Sequence, residues 1–148
     1  MSAAEGQVDP VRVVLGAVAS LSRLLSSEQR RPFEGRILTG SQLSALFFLA
    51  RNPSGSTPGR LAELLAVSAG AVTQLVDTLR AEGHVDIGVH PDDARSRIIV
   101  LSRTAHDEVE HFEGATAERL RPRFAALTPA ELTTLANLMN RVTVETKE

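Results

Sequence analysis

Apolar residues return at steps of three and four behind Asp9-Pro10, where Val11, Val14, Leu15, Val18, Leu21 and Leu25 make one stripe. That period predicts a helix with a single apolar face. Asp as N-cap and Pro in the first turn start it, and it ends near Glu28–Arg31, before Pro32. Thr39-Gly40-Ser41-Gln42 reads as a capping box. The run from Leu43 to Ala50 behind it is apolar nearly all round, the mark of a buried helix. Asn52-Pro53-Ser54-Gly55-Ser56 is a loop by composition. Thr57-Pro58 then opens a short helix through Leu61, Leu64 and Leu65. Ser68 caps a further helix with Val72, Leu75, Val76 and Leu79 on one side, and Gly83 supplies its left-handed stop.

The period then changes from helical to alternating. Val85, Ile87 and Val89 alternate with Asp86 and Gly88, and Ile98-Ile99-Val100-Leu101 is a second apolar run. The turn-rich stretch from His90 to Ser96 lies between them, so the pair predicts a hairpin. Ser102 caps a long helix from Arg103 to Leu120, which Pro122 ends or kinks. Thr128-Pro129-Ala130-Glu131 is another capping box, before a helix lined by Leu132, Leu135, Leu138, Met139 and Val142. The chain is therefore mostly α, a single domain over 1–148 with a winged helix-turn-helix at 38–102. The helices at 9–31 and 103–146 carry apolar stripes with no second domain to cover. A second copy of the chain is the economical partner, which makes them the dimerisation helices of a homodimer.

A length of 148 residues fits one domain. The absence of Cys excludes a disulfide scaffold, a thiolate metal site and a cysteine nucleophile together. Five Phe with no Tyr or Trp leave too few stacking platforms for gripping single-stranded nucleic acid. No run reaches the ~18 apolar residues of a membrane helix. Glu5 and Asp9 stand where a secretory leader would be basic. The expectation is a soluble cytoplasmic protein with no membrane partner. The net charge of −2 is unevenly spread: residues 36–103 hold seven Arg against six acids, the rest nine basic against twelve acidic residues. That sign suits a DNA-facing segment, and its small size puts affinity on groove fit and symmetry more than on counterion release.

The helix from Ser68 to Arg80 is the strongest chemical signal. Opposite its apolar face lie Ala69, Gly70, Thr73, Gln74 and Asp77. Small residues let a helix N-terminus enter a major groove closely, Gln can pair with adenine, and Thr or Ala methyls can touch thymine methyls. Alone, this is also the pattern of a helix with a solvated face. Beside it the hairpin tip carries Arg95 and Arg97 around Ser96, with Asp93 two residues before Arg95, a spacing at which a carboxylate can hold a guanidinium for a minor groove. A reading helix followed by an arginine-tipped wing is a joint arrangement, and it favours double-stranded DNA. The candidate DNA-binding residues are Thr57, Ser68, Ala69, Gly70, Thr73, Gln74, Asp77, Arg80, Asp93, Arg95, Ser96 and Arg97.

Residues 38–106 resemble the MarR family of winged-helix transcriptional regulators. The resemblance runs through Leu38-Thr39, Gln42-Leu43, Leu61-Ala62-Glu63-Leu64-Leu65, Val67-Ser68, Val72-Thr73, Leu75-Val76-Asp77 and Leu79. It continues in Glu82-Gly83-His84-Val85, Pro91-Asp92-Asp93-Ala94-Arg95-Ser96-Arg97 and Val100-Leu101-Ser102. It implies a triangular homodimer with interleaved terminal helices, Ser68–Arg80 as recognition helix, and Arg95, oriented by Asp93, as wing arginine. Gln74, Ile87 and Ala94 stand where the family usually has basic residues, and His84 where it tends to be apolar.

The function expected is a sequence-specific regulator, a repressor on an inverted-repeat operator, with a small-molecule effector as a further partner. One alternative is a degenerate winged helix that binds protein. Another is a metal-responsive regulator, because His106 and Glu110 share a helix face next to His111; the same run also reads as a hydrated acidic face. No enzyme and no cofactor are expected. Gly55-Ser56-Thr57-Pro58-Gly59-Arg60 lacks the Gly-Lys-Ser/Thr ending of a phosphate loop, and no serine sits in a nucleophile elbow.

Overall fold

The computed structural model describes residues 8–29 and 36–143; the expected end of the first helix at 30–31 and the stretch from 144 to 146 lie outside the described residues. The chain divides after His111 into two compact units.

The first unit begins with α1 (Pro10–Gln29), started by Asp9, whose Oδ1 accepts the Val11 N–H at 3.0 Å. Next comes α2 (Gly40–Arg51). Its capping box is complete: Thr39 Oγ1 accepts the Gln42 N–H at 3.2 Å, and Gln42 Oε1 accepts the Thr39 N–H at 2.8 Å. α3 (Pro58–Leu65) and α4 (Ala69–Ala81) follow, and the hairpin is β1 (Val85–His90) with β2 (Asp93–Leu101). α5 (Arg103–Leu120) then runs across the division between the units.

Leu43, Leu46 and Leu49 of α2 are buried with Leu61 of α3, Val72, Val76 and Leu79 of α4, Val85 and Ile99 of the hairpin, and Ala105 and Val109 of α5. Each large side chain here contributes ~1.5–3 kcal/mol on burial. Leu43 and Leu46 are core as expected, whereas Phe47 and Phe48 are only half-buried.

Two parts differ from the sequence reading. The stretch Asn52–Ser56 is more than a loop, because Ser56 and Ile99 exchange both backbone hydrogen bonds, at 2.9 and 2.8 Å. This adds a one-residue bridge on the outer side of β2 at the base of the hairpin. The hairpin turn itself is only Pro91-Asp92, since His90 pairs with Asp93. Val89 pairs with Arg97, so Ala94, Arg95 and Ser96 occupy a step in the register, the geometry of a bulge. The expected alternation holds at buried Val85 and fades at Val89, which is 66% exposed.

In the second unit Pro122 ends α5 as expected, in a short 3-10 turn (Arg121–Phe124). α6 (Pro129–Thr143) starts on its capping box, Glu131 Oε2 accepting the Thr128 N–H at 2.8 Å. Among the described residues, no single helix is long and apolar enough to cross a membrane.

Candidate nucleic-acid interface

The axes of α3 and α4 meet at 107°, within the range of a helix-turn-helix. Thr57 caps α3, its Oγ1 accepting the Arg60 N–H at 3.3 Å. The turn out of α3 passes through Ala66 at φ 52°, a left-handed residue without glycine. It is held by the Val67 N–H on the Ala62 carbonyl (3.1 Å) and the Ala66 N–H on the Glu63 carbonyl (3.2 Å). Ser68 Oγ then accepts the Ala71 N–H at 3.2 Å and starts α4.

Val72, Val76 and Leu79 anchor α4 in the core, so Ala69, Gly70, Thr73, Gln74, Asp77 and Arg80 are left exposed. The Thr73 hydroxyl donates to the Ala69 carbonyl at 3.0 Å, which leaves its methyl as the contact group. Among the described residues nothing needs Gly70 bare: a Cβ there would meet only Ser68 Oγ, at 4.0 Å. Gln74, Asp77 and Arg80 make no side-chain hydrogen bond or ion pair among the described residues. Their polar groups are available to a ligand.

At the wing, Asp93 is the organising residue, though not in the expected way. Its carboxylate does not hold the Arg95 guanidinium. Oδ1 accepts the Arg95 backbone N–H at 3.0 Å and Oδ2 accepts the Ser96 hydroxyl at 2.7 Å. The physical reason is reach: at the register step a short Asp carboxylate meets the amide two residues on more readily than a long guanidinium side chain folds back to it. The Ser96 hydroxyl and then the Arg95 amide hold the Asp93 carboxyl below its ordinary range. His90 Nδ1 accepts the Asp92 N–H at 3.1 Å on the other side of the turn. Arg95 and Arg97 are exposed, with no ion pair among the described residues. The backbone is fixed and the guanidinium groups are free.

Of the sequence candidates, then, Thr57, Ser68 and Asp93 hold backbone, Ser96 holds the Asp93 carboxylate, and Ala69, Gly70, Thr73, Gln74, Asp77, Arg80, Arg95 and Arg97 present surface. His106 Nε2 lies 3.5 Å from Glu110 Oε1 on the exposed face of α5. No group of three residues able to hold a metal forms among the described residues, so His111 does not complete a site. The sequence reading missed Gly55, which at φ +83° lets the Ser56 strand lie against Ile98 and Ile99. No local pattern announces that contact.

Residues 38–96 match the profile of the MarR family. An uncharacterized HTH-type transcriptional regulator of Mycobacterium bovis is 36% identical over 102 residues, 67% of this chain and 71% of the relative. Among solved structures, a probable transcriptional regulator from Pseudomonas aeruginosa is similar with a TM-score of 0.59 at 25% identity, over 91% of this chain and 97% of that one. Wild-type MarR from E. coli, in its apo form, is similar with a TM-score of 0.65 at 24% identity, over 93% of this chain and 98% of the other.

Proposed function

We infer this protein's action from one premise: the chain belongs to the MarR family of helix-turn-helix transcriptional regulators. It acts as a homodimeric repressor that binds double-stranded DNA at an inverted repeat. The observation that carries this reading is the pairing of two prepared surfaces in one unit. α4 offers small residues and unengaged Gln74 and Arg80, and the wing offers Arg95 on a backbone that Asp93 fixes.

In this reading Ala69, Gly70, Thr73, Gln74, Asp77 and Arg80 enter a major groove, and Arg95 reaches the adjoining minor groove with Arg97 beside it. Thr57, Ser68, Asp93 and Ser96 keep those elements in place. The segments 9–31 and 103–146 pair two copies, and the half-sites lie about one helical turn apart, ~34–36 Å. A small-molecule effector, where one acts, works only by binding two spacings of the reading helices unequally.

A gel shift on the DNA upstream of the protein's own coding sequence tests this. The wild type retards the fragment, and Arg95→Ala weakens binding about tenfold or more. No shift at low salt, there or on genomic fragments, would transfer the case to a protein-binding winged helix.

A further inference from the structure

α4 ends in a turn of unusual consequence for the next residue. The Gly83 N–H donates to the Arg80 carbonyl at 3.0 Å and the His84 N–H to the Leu79 carbonyl at 2.8 Å, with Gly83 at φ +79°, which is a Schellman stop. The turn carries the His84 side chain inward, where the residue is 5% exposed. The start of α5 is tied down at the same place. Ser102 donates its N–H to the His84 carbonyl at 2.9 Å and its hydroxyl to the Gly83 carbonyl at 2.8 Å, and Ser102 Oγ accepts the Ala105 N–H at 3.2 Å. His84 thus sits in the joint between the reading helix, the first wing strand and α5.

Charged groups face its ring from each side. Glu82 Oε2, at the end of α4, is 3.6 Å from Nε2, and Glu108 Oε2, on α5, is 3.5 Å from Nδ1. Arg36, from the segment before α2, donates to the Glu82 carbonyl at 3.4 Å. A cavity of about 310 Å³ is lined by Arg36, Glu82, His84, Thr104 and Glu108, which gives water a route to the cluster without unfolding.

We propose that His84 is a proton-sensing positioning residue: charging its ring between Glu82 and Glu108 redraws the joint of α4, β1 and α5 and weakens the grip on DNA. A neutral imidazole has one N–H and can donate to only one of the two carboxylates. The imidazolium, with a proton taken from water, donates from both nitrogens, and draws the end of α4 and the first turns of α5 onto one ring. Burial holds the His84 pKa below its ordinary value, Glu82 pulls it back up, and Arg36 adds to the lowering. The unfolded chain therefore takes up this proton first. Stability is whole above about pH 6.5 and falls as acid carries the pH down toward the lower folded value.

The proposal rests on the DNA-binding reading, and its test separates the two. DNA affinity for the upstream fragment is measured from about pH 8 to about pH 5 with the wild type, His84→Gln and Glu108→Gln. In parallel, the imidazole and backbone amides of the free protein are followed by NMR. The wild type loses about fivefold more affinity over this range than His84→Gln, and Glu108→Gln shows a smaller response than the wild type. The Gly83, Ser102 and Glu108 amides move with the ring in the wild type. Parallel pH profiles for wild type and His84→Gln overturn the proposal, and so do amides that stay still while the ring titrates. If no protein binds the fragment at any pH, the DNA reading fails and the NMR titration alone decides the joint. Should His84→Gln not fold, the wild type and Glu108→Gln carry the comparison, and equal profiles for those two refute it.

Discussion

A Cβ at Gly70 would make only an ordinary contact with Ser68 Oγ, and the residue lies in the first turn of a regular helix. Glycine in a helix is up to about 1 kcal/mol worse than alanine, so the fold by itself would favour a methyl there. Gly70→Ala should raise stability in denaturant melts by about 0.5–1 kcal/mol and at the same time weaken DNA binding, because the methyl keeps the backbone off the groove. A variant that gains stability with unchanged affinity would show that α4 does not approach DNA at this point. At this scale the sequence showed which residue types gather but not which atoms meet. The spacing of Asp93 and Arg95 predicts a carboxylate–guanidinium pair, whereas the carboxylate takes the Arg95 amide. The left-handed turn at Ala66 was not legible, because alanine carries no signature of positive φ. Gly83 does carry one, and it takes the left-handed conformation its place after α4 predicts.

Helix starts were legible because their chemistry is local: Thr39 with Gln42, Ser68 with Ala71, and Thr128 with Glu131 each close within three residues. The hairpin base was not legible, because Ser56 meets Ile99 only once the helices between them have folded. Gly55 makes this contact possible. A Cβ there would run into the Ile98 side chain and lie 2.7 Å from the Ile99 carbonyl oxygen, at a backbone φ that L-residues avoid. Gly55→Ala should therefore cost about 1–3 kcal/mol, read by chemical denaturation, and speed hydrogen exchange at the Ile99 amide, which now donates to the Ser56 carbonyl. The wing would lose the Ser56–Ile99 bridge while α4 keeps its core contacts. Ile99 exchange as slow as in the wild type would mean that the bridge does not support the wing.

At the scale of the whole molecule, the apolar stripes that the period of the chain predicts are present and largely exposed, with Val18, Leu21 and Met139 half-buried. Val11, Val14 and Leu15 of α1 are 63%, 49% and 62% exposed, and Leu138 and Val142 of α6 are 49% and 78% exposed. Burying one such side chain returns ~1.5–3 kcal/mol, so a chain that leaves a stripe of them in water has a strong drive to cover it. A second copy carries the same stripes, and a symmetric pair would present two reading heads to a palindrome. Leu138→Asp places a charge in the middle of the α6 stripe without touching the core of the first unit. If two copies pair through this stripe as proposed, sedimentation equilibrium should find the wild type dimeric and Leu138→Asp monomeric. DNA affinity should fall further than in Arg95→Ala, because the second head then binds as a separate molecule and its effective concentration is lost. Arg95→Ala, by contrast, should remain dimeric. A Leu138→Asp protein that stays dimeric would remove α6 from the interface, and a monomer that binds DNA as tightly as the wild type would end the two-headed reading.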